Sequence, residues 1–155
     1  EPEVLINGDH SIEKCDEITR ETLKCLFDEL KSIDIYLPGV ILKPSMVISG
    51  DKNSNRADFQ KVAEMTIKCL MEMCPRDLGG VAFLSGGQTN DEATNHLKLM
   101  NSGNYDLPWR VTFSYARAIQ QSALNKWSGK DENHKEAQHI LGERAKLCSD
   151  ASVGS

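Results

Sequence analysis

The sequence predicts an α/β fold built around a parallel sheet. Four short apolar segments are each followed by a segment with the 3.6-residue periodicity of an amphipathic helix. Each strand and its helix take about 30–40 residues, enough for crossover connections between parallel strands with helices on the faces of the sheet. This spacing suits both a doubly wound sheet and a (β/α)8 barrel, and in either fold functional groups belong at the carboxyl ends of the strands.

The first half of the chain predicts two strands and the helix between them. The first strand covers residues 3–6 and is closed by an Asn-Gly pair. A helix follows over residues 11–33, because its apolar positions share one face and Ser11 is a suitable N-cap. The second strand covers residues 39–43, after which Pro44 removes a backbone donor and weakens regular pairing.

The rest of the chain continues the alternation. A polar loop over residues 49–55 leads to a helix over residues 57–73, which ends before Pro75. The third strand covers residues 80–84, and the Thr-Asn-Asp-Glu capping box at residues 89–92 starts a helix that extends to about residue 100. The remaining predicted elements are a strand over residues 109–114 and helices over residues 117–127 and 132–148.

Composition limits the classes of function. The chain has 155 residues, of which 39% are hydrophobic and 26% charged, as in one soluble globular domain. The net charge of -5 argues against broad binding to nucleic acid or anionic membranes, although a local basic pocket for a small phosphate is compatible with it. No apolar stretch reaches the ~20 residues of a membrane-spanning helix, and no signal or transit pattern opens the chain.

The cysteines and histidines do not predict a metal site. No cysteine pair has the CxxC spacing, and no histidine lies at ligand spacing from another histidine or a cysteine. The cysteines follow helical apolar faces, so we expect reduced core thiols of a cytosolic protein. They are Cys15, Cys25, Cys69, Cys74 and Cys148.

Lys43 is the first candidate for chemistry. It ends the apolar run at residues 40–44, which predicts a buried strand. A buried ammonium is costly unless it is paired, and desolvation favours the neutral amine, so Lys43 is a candidate nucleophile for a substrate carbonyl. On these residues alone, a lysine whose ammonium reaches water at a strand end is the more usual explanation.

Three further features are candidates for function: two follow the ends of predicted strands and one lies on the first predicted strand. Ser85-Gly86-Gly87 is either a phosphate-binding turn or an ordinary tight turn between strand and helix. Arg117, at a helix start that the macrodipole disfavours for a cation, is either a phosphate clamp or a solvated side chain. Glu1 and Glu3 share one face of the first strand and are either acid–base partners of Lys43 or solvated carboxylates. Because Lys43, Ser85-Gly86-Gly87 and Arg117 all fall at the same end of their strands, a functional role is favoured for these three features.

Five segments together carry a family resemblance. They are EPEVL at residues 1–5, LKPSMV at 42–47, FLSGGQ at 83–88, FSYARA at 113–118 and ALNKWSGKDEN at 123–133. In this order and at these intervals they resemble class I fructose-bisphosphate aldolases, and the resemblance covers nearly the whole chain. It implies a (β/α)8 TIM barrel of which residues 1–155 are the second half, with strands five to eight. We then expect Val81 and Phe83 to face the inside of the barrel.

The resemblance also assigns roles. Lys43 is implied to form the Schiff base with the ketose, Glu1 to act in acid–base chemistry and Glu3 to support it. Donors at two strand-to-helix turns are implied to bind the phosphate on the ketone side of the substrate. They are Ser85, Gly86, the backbone of Ala116, which stands where many members have glycine, and Arg117.

The implied activity is reversible cleavage of fructose 1,6-bisphosphate to glyceraldehyde 3-phosphate and dihydroxyacetone phosphate in glycolysis and gluconeogenesis, without a metal or other cofactor. The family suggests a cytoplasmic homotetramer whose partner is a sugar phosphate, with no nucleic acid or membrane. Since the family's first four strands carry further catalytic groups, we expect this chain to be a fragment and inactive alone. Two alternatives stay open: another Schiff-base enzyme, such as a transaldolase or deoxyribose-phosphate aldolase, and a noncatalytic scaffold or binding protein with the aldolase fold.

Overall fold

The computed structural model describes residues 1–103 and 105–155, which form five α-helices, three β-strands and two short 3-10 turns. In chain order they are α1 (Ile12–Ser32), a 3-10 turn (Leu37–Gly39), β1 (Ile41–Leu42), α2 (Phe59–Met73), β2 (Gly80–Phe83), α3 (Asn90–Ser102), β3 (Val111–Phe113), α4 (Arg117–Trp127), a second 3-10 turn (Asp131–Asn133) and α5 (His134–Ala151). The strands pair in parallel in the order β1-β2-β3. From β1 onward the predicted alternation of strands and helices is therefore confirmed, and so is the parallel sheet.

α1 and α3 begin at the capping residues that the sequence predicts. The Ser11 hydroxyl accepts a hydrogen bond from the Lys14 N–H at the start of α1. Thr89 and Glu92 form the predicted capping box, in which each side chain accepts from the other residue's N–H. These bonds satisfy donors that a helix start leaves unpaired. Within the residues described, no helix is both long and apolar enough to cross a membrane.

The segment predicted as the first strand is not a strand, and this prediction is wrong. The Ser45 N–H donates to the Pro2 carbonyl at 3.1 Å, but the Val4 N–H donates to the Ser45 hydroxyl at 3.0 Å instead of to a carbonyl. Farther along, the Asp51 N–H donates to the Ile6 carbonyl at 2.8 Å. The segment thus lies beside residues 45–51, while proline and a side-chain acceptor interrupt the regular ladder.

The other strands are shorter than predicted. β1 keeps two of its five predicted residues, because a 3-10 turn takes up its beginning and Pro44 follows soon after its end. β3 covers Val111–Phe113, the middle of its predicted range. The interiors of these three strands were predicted correctly, whereas among their ends only the start of β2 at Gly80 was.

The sheet has one covered face and one open face. Val81 pairs with Val111, and both are buried in a core that the strands share with the helices. Ile41, which is 60% exposed, and Thr112 lie on the opposite face. Because side chains alternate along a strand, Phe83 lies with Val81 in the core. The expectation that Val81 and Phe83 face the inside of a barrel, away from the helices, is wrong.

Four of the five cysteines are buried, as predicted. Burial raises the pKa of the Cys69 and Cys74 thiols to about 12, which keeps them protonated and unreactive at neutral pH. Cys25 is the exception to the prediction, since it lies exposed on α1.

Arg144 joins three helices. It is buried on α5 and donates to the Ala118 carbonyl at 3.2 Å, to the Asn90 carbonyl at 3.0 Å and to the Thr94 hydroxyl at 2.8 Å. These acceptors belong to α3 and α4, and a buried guanidinium is tolerated only where such partners exist. The packing of the last three helices therefore depends on one cation.

Replacing Arg144 with Met should lower the free energy of unfolding by about 2–4 kcal/mol, because buried acceptors then lose their donors. Urea unfolding followed by circular dichroism measures the change. Lys146→Met is the matched control, since that side chain is 75% exposed and its loss should change stability by no more than ~1 kcal/mol. Equal small effects for the two variants would contradict a structural role for Arg144.

Candidate active site

The predicted site residues lie at the carboxyl-terminal edge of the sheet. Lys43 directly follows β1, Ser85 follows the end of β2, and Arg117 opens α4 shortly after β3. Parallel strands bring their carboxyl ends to one edge, so these three positions are neighbours in space although they are far apart in sequence.

Backbone pairing continues past the ends of the strands and fixes the segments that carry the site. The Leu84 N–H donates to the Pro44 carbonyl at 3.1 Å, and the Ser114 N–H donates to the Phe83 carbonyl at 2.8 Å. The starts of all three connections are thereby held side by side.

Lys43 and Glu1 form an ion pair. The Lys43 Nζ lies 2.8 Å from Glu1 Oε1, and the lysine side chain is 31% exposed while that of the glutamate is 56% exposed. The hydrogen bond from Lys43 holds the pKa of Glu1 below its ordinary value, so the carboxylate is ionised at neutral pH. The amine is thus neither buried in the core nor free in solvent, and it has a proton acceptor in contact.

Glu3 extends from the first segment to the turn after β2. Its Oε1 lies 3.3 Å from the place that a Cβ on Gly86 would occupy, and that Cβ would lie only 2.9 Å from the Leu84 side chain. Gly86 also has a φ of +51°, which L-residues rarely adopt. The backbone conformation therefore favours glycine at this position, whereas the neighbouring atoms belong to flexible side-chain ends that could move.

Residues 85–88 form a tight turn, which we call the glycine turn. The Gln88 N–H donates to the Ser85 carbonyl at 2.9 Å, and Gly86 and Gly87 both have positive φ, as the two central residues of a type I′ turn do. Ser85 is buried, whereas Gly87 is exposed. The turn presents glycine backbone at the edge of the sheet, where a ligand can approach it closely.

Arg117 extends over this turn from α4. Its Nη2 lies 4.0 Å from the place of a Cβ on Gly87. No side chain of the described residues caps the start of α4 at Ala116, which is exposed. A guanidinium, a glycine turn and an uncapped helix start together suit an anion such as a phosphate.

The structure brings most, but not all, of the predicted residues into contact. Lys43 meets Glu1, while Glu3 and Arg117 each reach one glycine of the glycine turn. Ser85 begins that turn and Ala116 precedes α4 at the same edge of the sheet, and among the described residues no side-chain hydrogen bond joins either of them to Lys43, Glu1, Glu3 or Arg117. Among the residues described, no group of three or more His, Cys, Asp or Glu side chains is placed to hold a metal ion.

Ser45, Gln88 and His96 support the site and were not predicted to do so. Ser45 ties the segment that carries Glu1 to the end of β1 through the bond to Val4. Gln88 and His96 hold the glycine turn, because His96 Nδ1 lies 2.6 Å from Gln88 Oε1. Ser45 and Gln88 fall inside the quoted motifs, whereas His96 gives no signal beyond its place on the apolar face of a capped helix.

His96 is neutral in the folded protein. It is buried, and its ring meets the Phe59 ring edge-on at 5.1 Å. Burial lowers the pKa of His96 to about 4, the nearby Glu92 opposes this shift, and Arg56 adds to it. Arg56 and Glu92 are themselves paired at 2.7 Å.

Between pH 7 and pH 5 the free energy of unfolding should fall by about 1–2 kcal/mol because of His96. Its pKa is near 6.5 unfolded and about 4 folded, so the unfolded chain binds more protons in this interval and acid favours unfolding. The contribution is complete above the unfolded pKa and is lost as the pH falls through the folded one. Urea unfolding at both pH values measures it; His96→Asn should reduce the difference, whereas His139→Asn, at an exposed histidine, should not.

Comparisons with known proteins show which family this chain is similar to. A family model described as fructose-bisphosphate aldolase class-I matches residues 1–155. A probable fructose-bisphosphate aldolase class 1 of Xanthomonas campestris pv. campestris is 49% identical over 157 residues, and fructose-bisphosphate aldolase B of Gallus gallus is 42% identical over 154 residues. The matches include 99% of this chain but only 46% and 42% of these relatives, so the chain spans less than half of their length.

A solved structure is similar throughout the chain. It is fructose-bisphosphate aldolase from Plasmodium falciparum, in a ternary complex with TRAP and a small molecule inhibitor, at a TM-score of 0.94 and 42% identity. The similarity covers 99% of this chain and 44% of that one, and the α/β fold with a small parallel sheet is that of the second half of a TIM barrel. By sequence and by fold, the chain belongs to the class I fructose-bisphosphate aldolase family.

Proposed function

We propose that the full-length protein that carries this chain is a Schiff-base aldolase that reversibly cleaves fructose 1,6-bisphosphate. The contact between Lys43 and Glu1 carries the proposal, because it pairs an amine with a proton acceptor beside an anion-binding turn. The relatives are more than twice as long as this chain, so the proposal concerns the longer protein. Residues 1–155 alone leave one face of the sheet open, and we expect them to have no useful activity.

Formation of the Schiff base begins with loss of a proton from Lys43. Glu1 accepts this proton, which leaves a neutral amine with a free electron pair. The amine attacks C2 of the ketose, and the C2 oxygen takes up a proton to give a carbinolamine. Loss of water then leaves an iminium between Lys43 and C2.

The iminium is the electron sink for cleavage. The C4 hydroxyl gives up its proton, the C3–C4 bond breaks, and its electron pair moves through C3 to the iminium nitrogen. Glyceraldehyde 3-phosphate leaves, and an enamine stays on Lys43. A proton returned to C3 and a water molecule added at C2 then release dihydroxyacetone phosphate and restore the amine. Glu1 is our candidate for these proton transfers, and Glu3 supports it.

The phosphate on the ketone side fits the edge beside Lys43. We assign it to Ser85, the Gly86 N–H, the Ala116 N–H and the Arg117 guanidinium, because glycine backbone and a forked cation meet there. Binding at this place orients C2 toward the amine. We further propose that the protein is a cytoplasmic homotetramer, as the resemblance implies, and that neither nucleic acid nor a membrane is a partner.

Lys43→Met should abolish covalent trapping of substrate by borohydride, because a thioether cannot form an iminium. The measurement is the mass of the full-length protein after incubation with fructose 1,6-bisphosphate and borohydride. Lys68→Met, at an exposed lysine on α2, is the control and should be trapped like the wild type.

Trapping at normal yield in Lys43→Met would rule out the assignment of the nucleophile. A wild-type protein that is not trapped by this substrate, but is trapped by another sugar phosphate, would be a different Schiff-base enzyme.

Arg117→Ala should lower kcat/KM for fructose 1,6-bisphosphate by about 10- to 150-fold, or ~1.5–3 kcal/mol, the range for a hydrogen bond to a charged group. This range suits a side chain that is exposed in the structure. Steady-state kinetics of the full-length protein measure it. Arg110→Ala is the matched control, since that exposed arginine lies at the opposite edge of the sheet. Unchanged kinetics in Arg117→Ala would refute its contact with phosphate.

A further inference from the structure

The glycine turn needs an external restraint. Two consecutive glycines lose more conformational freedom on ordering than any other pair of residues, so the turn is costly to hold in one shape. Its first end is fixed, because Leu84 is hydrogen-bonded to Pro44 on the neighbouring connection. Its other end must be held by Gln88 or by what Gln88 contacts.

Gln88 holds the turn with two groups. Its N–H closes the turn on the Ser85 carbonyl at 2.9 Å, and its side-chain oxygen lies 2.6 Å from His96 Nδ1. Gln88 is buried, so water does not replace this partner. The shape of the turn is thereby linked to a side chain in the core.

Burying the His96 ring costs free energy, and among the described residues its one hydrogen bond is with Gln88. It is 1% exposed, and its Nε2 is buried without a hydrogen-bond partner among the described residues. A leucine would fill the space beside Phe59 without an unpaired nitrogen. The bond from Nδ1–H to Gln88 is the feature that an apolar residue could not supply.

We propose that His96 is a positioning residue, which through Gln88 fixes the glycine turn in the conformation that binds the substrate phosphate. The inference rests on the proposed role of Ser85 and Gly86 in phosphate binding. His96 itself does not touch the substrate, and it acts through the hydrogen bond to the Gln88 side chain.

His96→Leu tests the bond in the full-length enzyme, because leucine keeps apolar volume and removes the donor. Backbone amides of Gly87 and Gln88 should exchange with deuterium about tenfold faster, the effect of losing ~1.4 kcal/mol of local restraint. KM for fructose 1,6-bisphosphate and the inhibition constant of inorganic phosphate should rise about five- to tenfold, with kcat within about twofold of the wild type.

Two replacements separate the hydrogen bond from packing. Asn places an amide donor at the δ position, close to where Nδ1 lies, so His96→Asn should restore KM and slow exchange. Gln places its donor one atom farther out, so His96→Gln should not. Leu78→Ala is the control for stability alone, since this buried residue precedes β2 at the opposite edge of the sheet and should leave turn exchange and KM unchanged.

Normal turn exchange and normal KM in folded, active His96→Leu would overturn the positioning role and leave the proposed function standing. Equal defects in His96→Leu and Leu78→Ala would also overturn it, because general destabilisation would then explain them. A wild-type enzyme that neither cleaves fructose 1,6-bisphosphate nor is inhibited by inorganic phosphate would overturn the proposed function, and with it the phosphate role of His96.

Discussion

The parallel hydrogen bonds between β1, β2 and β3 align three strand ends, and the contacts of the candidate site follow from that alignment. Pairing beyond the strands, from Leu84 to Pro44 and from Ser114 to Phe83, keeps the connections in step until they diverge into helices. Lys43, the glycine turn and Arg117 then lie at one edge because each follows the end of a paired strand. A slip of one residue in this register would reverse the faces of the strands and withdraw Lys43 into the core.

Polar groups in the core join this edge to the helices. Arg144 binds acceptors on α3 and α4, and His96 on α3 holds Gln88 beside the glycine turn. Both side chains are buried, and burying either of them would cost free energy if its hydrogen-bond partner were missing. Each therefore favours the one arrangement of elements that brings its partner within reach. α3 therefore does more than cover the sheet, because it also carries the side chain that is hydrogen-bonded to Gln88 at the edge of the sheet.

The sequence was sufficient to predict the order of the elements from α1 onward and the edge of the sheet at which Lys43, Ser85 and Arg117 lie. Helices were predicted well, because Ser11 and Thr89 are caps with local hydrogen bonds and apolar periodicity is a local pattern. The strand over residues 3–6 was wrong, because the competing acceptor, the Ser45 hydroxyl, is distant in sequence. The faces of Val81 and Phe83 were also predicted wrongly, because alternation along a strand does not reveal which face of the sheet the helices cover.

Within the site, Lys43, Glu1 and the glycine turn carry strong local motifs, whereas the contact between Gln88 and His96 depends on a ring that reaches back along its own helix. A buried histidine on an apolar face is an ordinary core residue until its partner is known. Candidate ligand-binding residues can be proposed from local motifs, while the residues that contact and support them are found only from the fold.

The two faces of the sheet place different requirements on the side chains of its strands. Ile41 and Thr112 lie on the open face, and their neighbours Leu42 and Val111 lie against the helices. Within this chain, tolerance to substitution should thus alternate with a period of two along each strand. Covered positions accept only apolar side chains of similar volume, and open positions accept polar or charged ones. Along these strands, packing against the helices therefore constrains only every second residue.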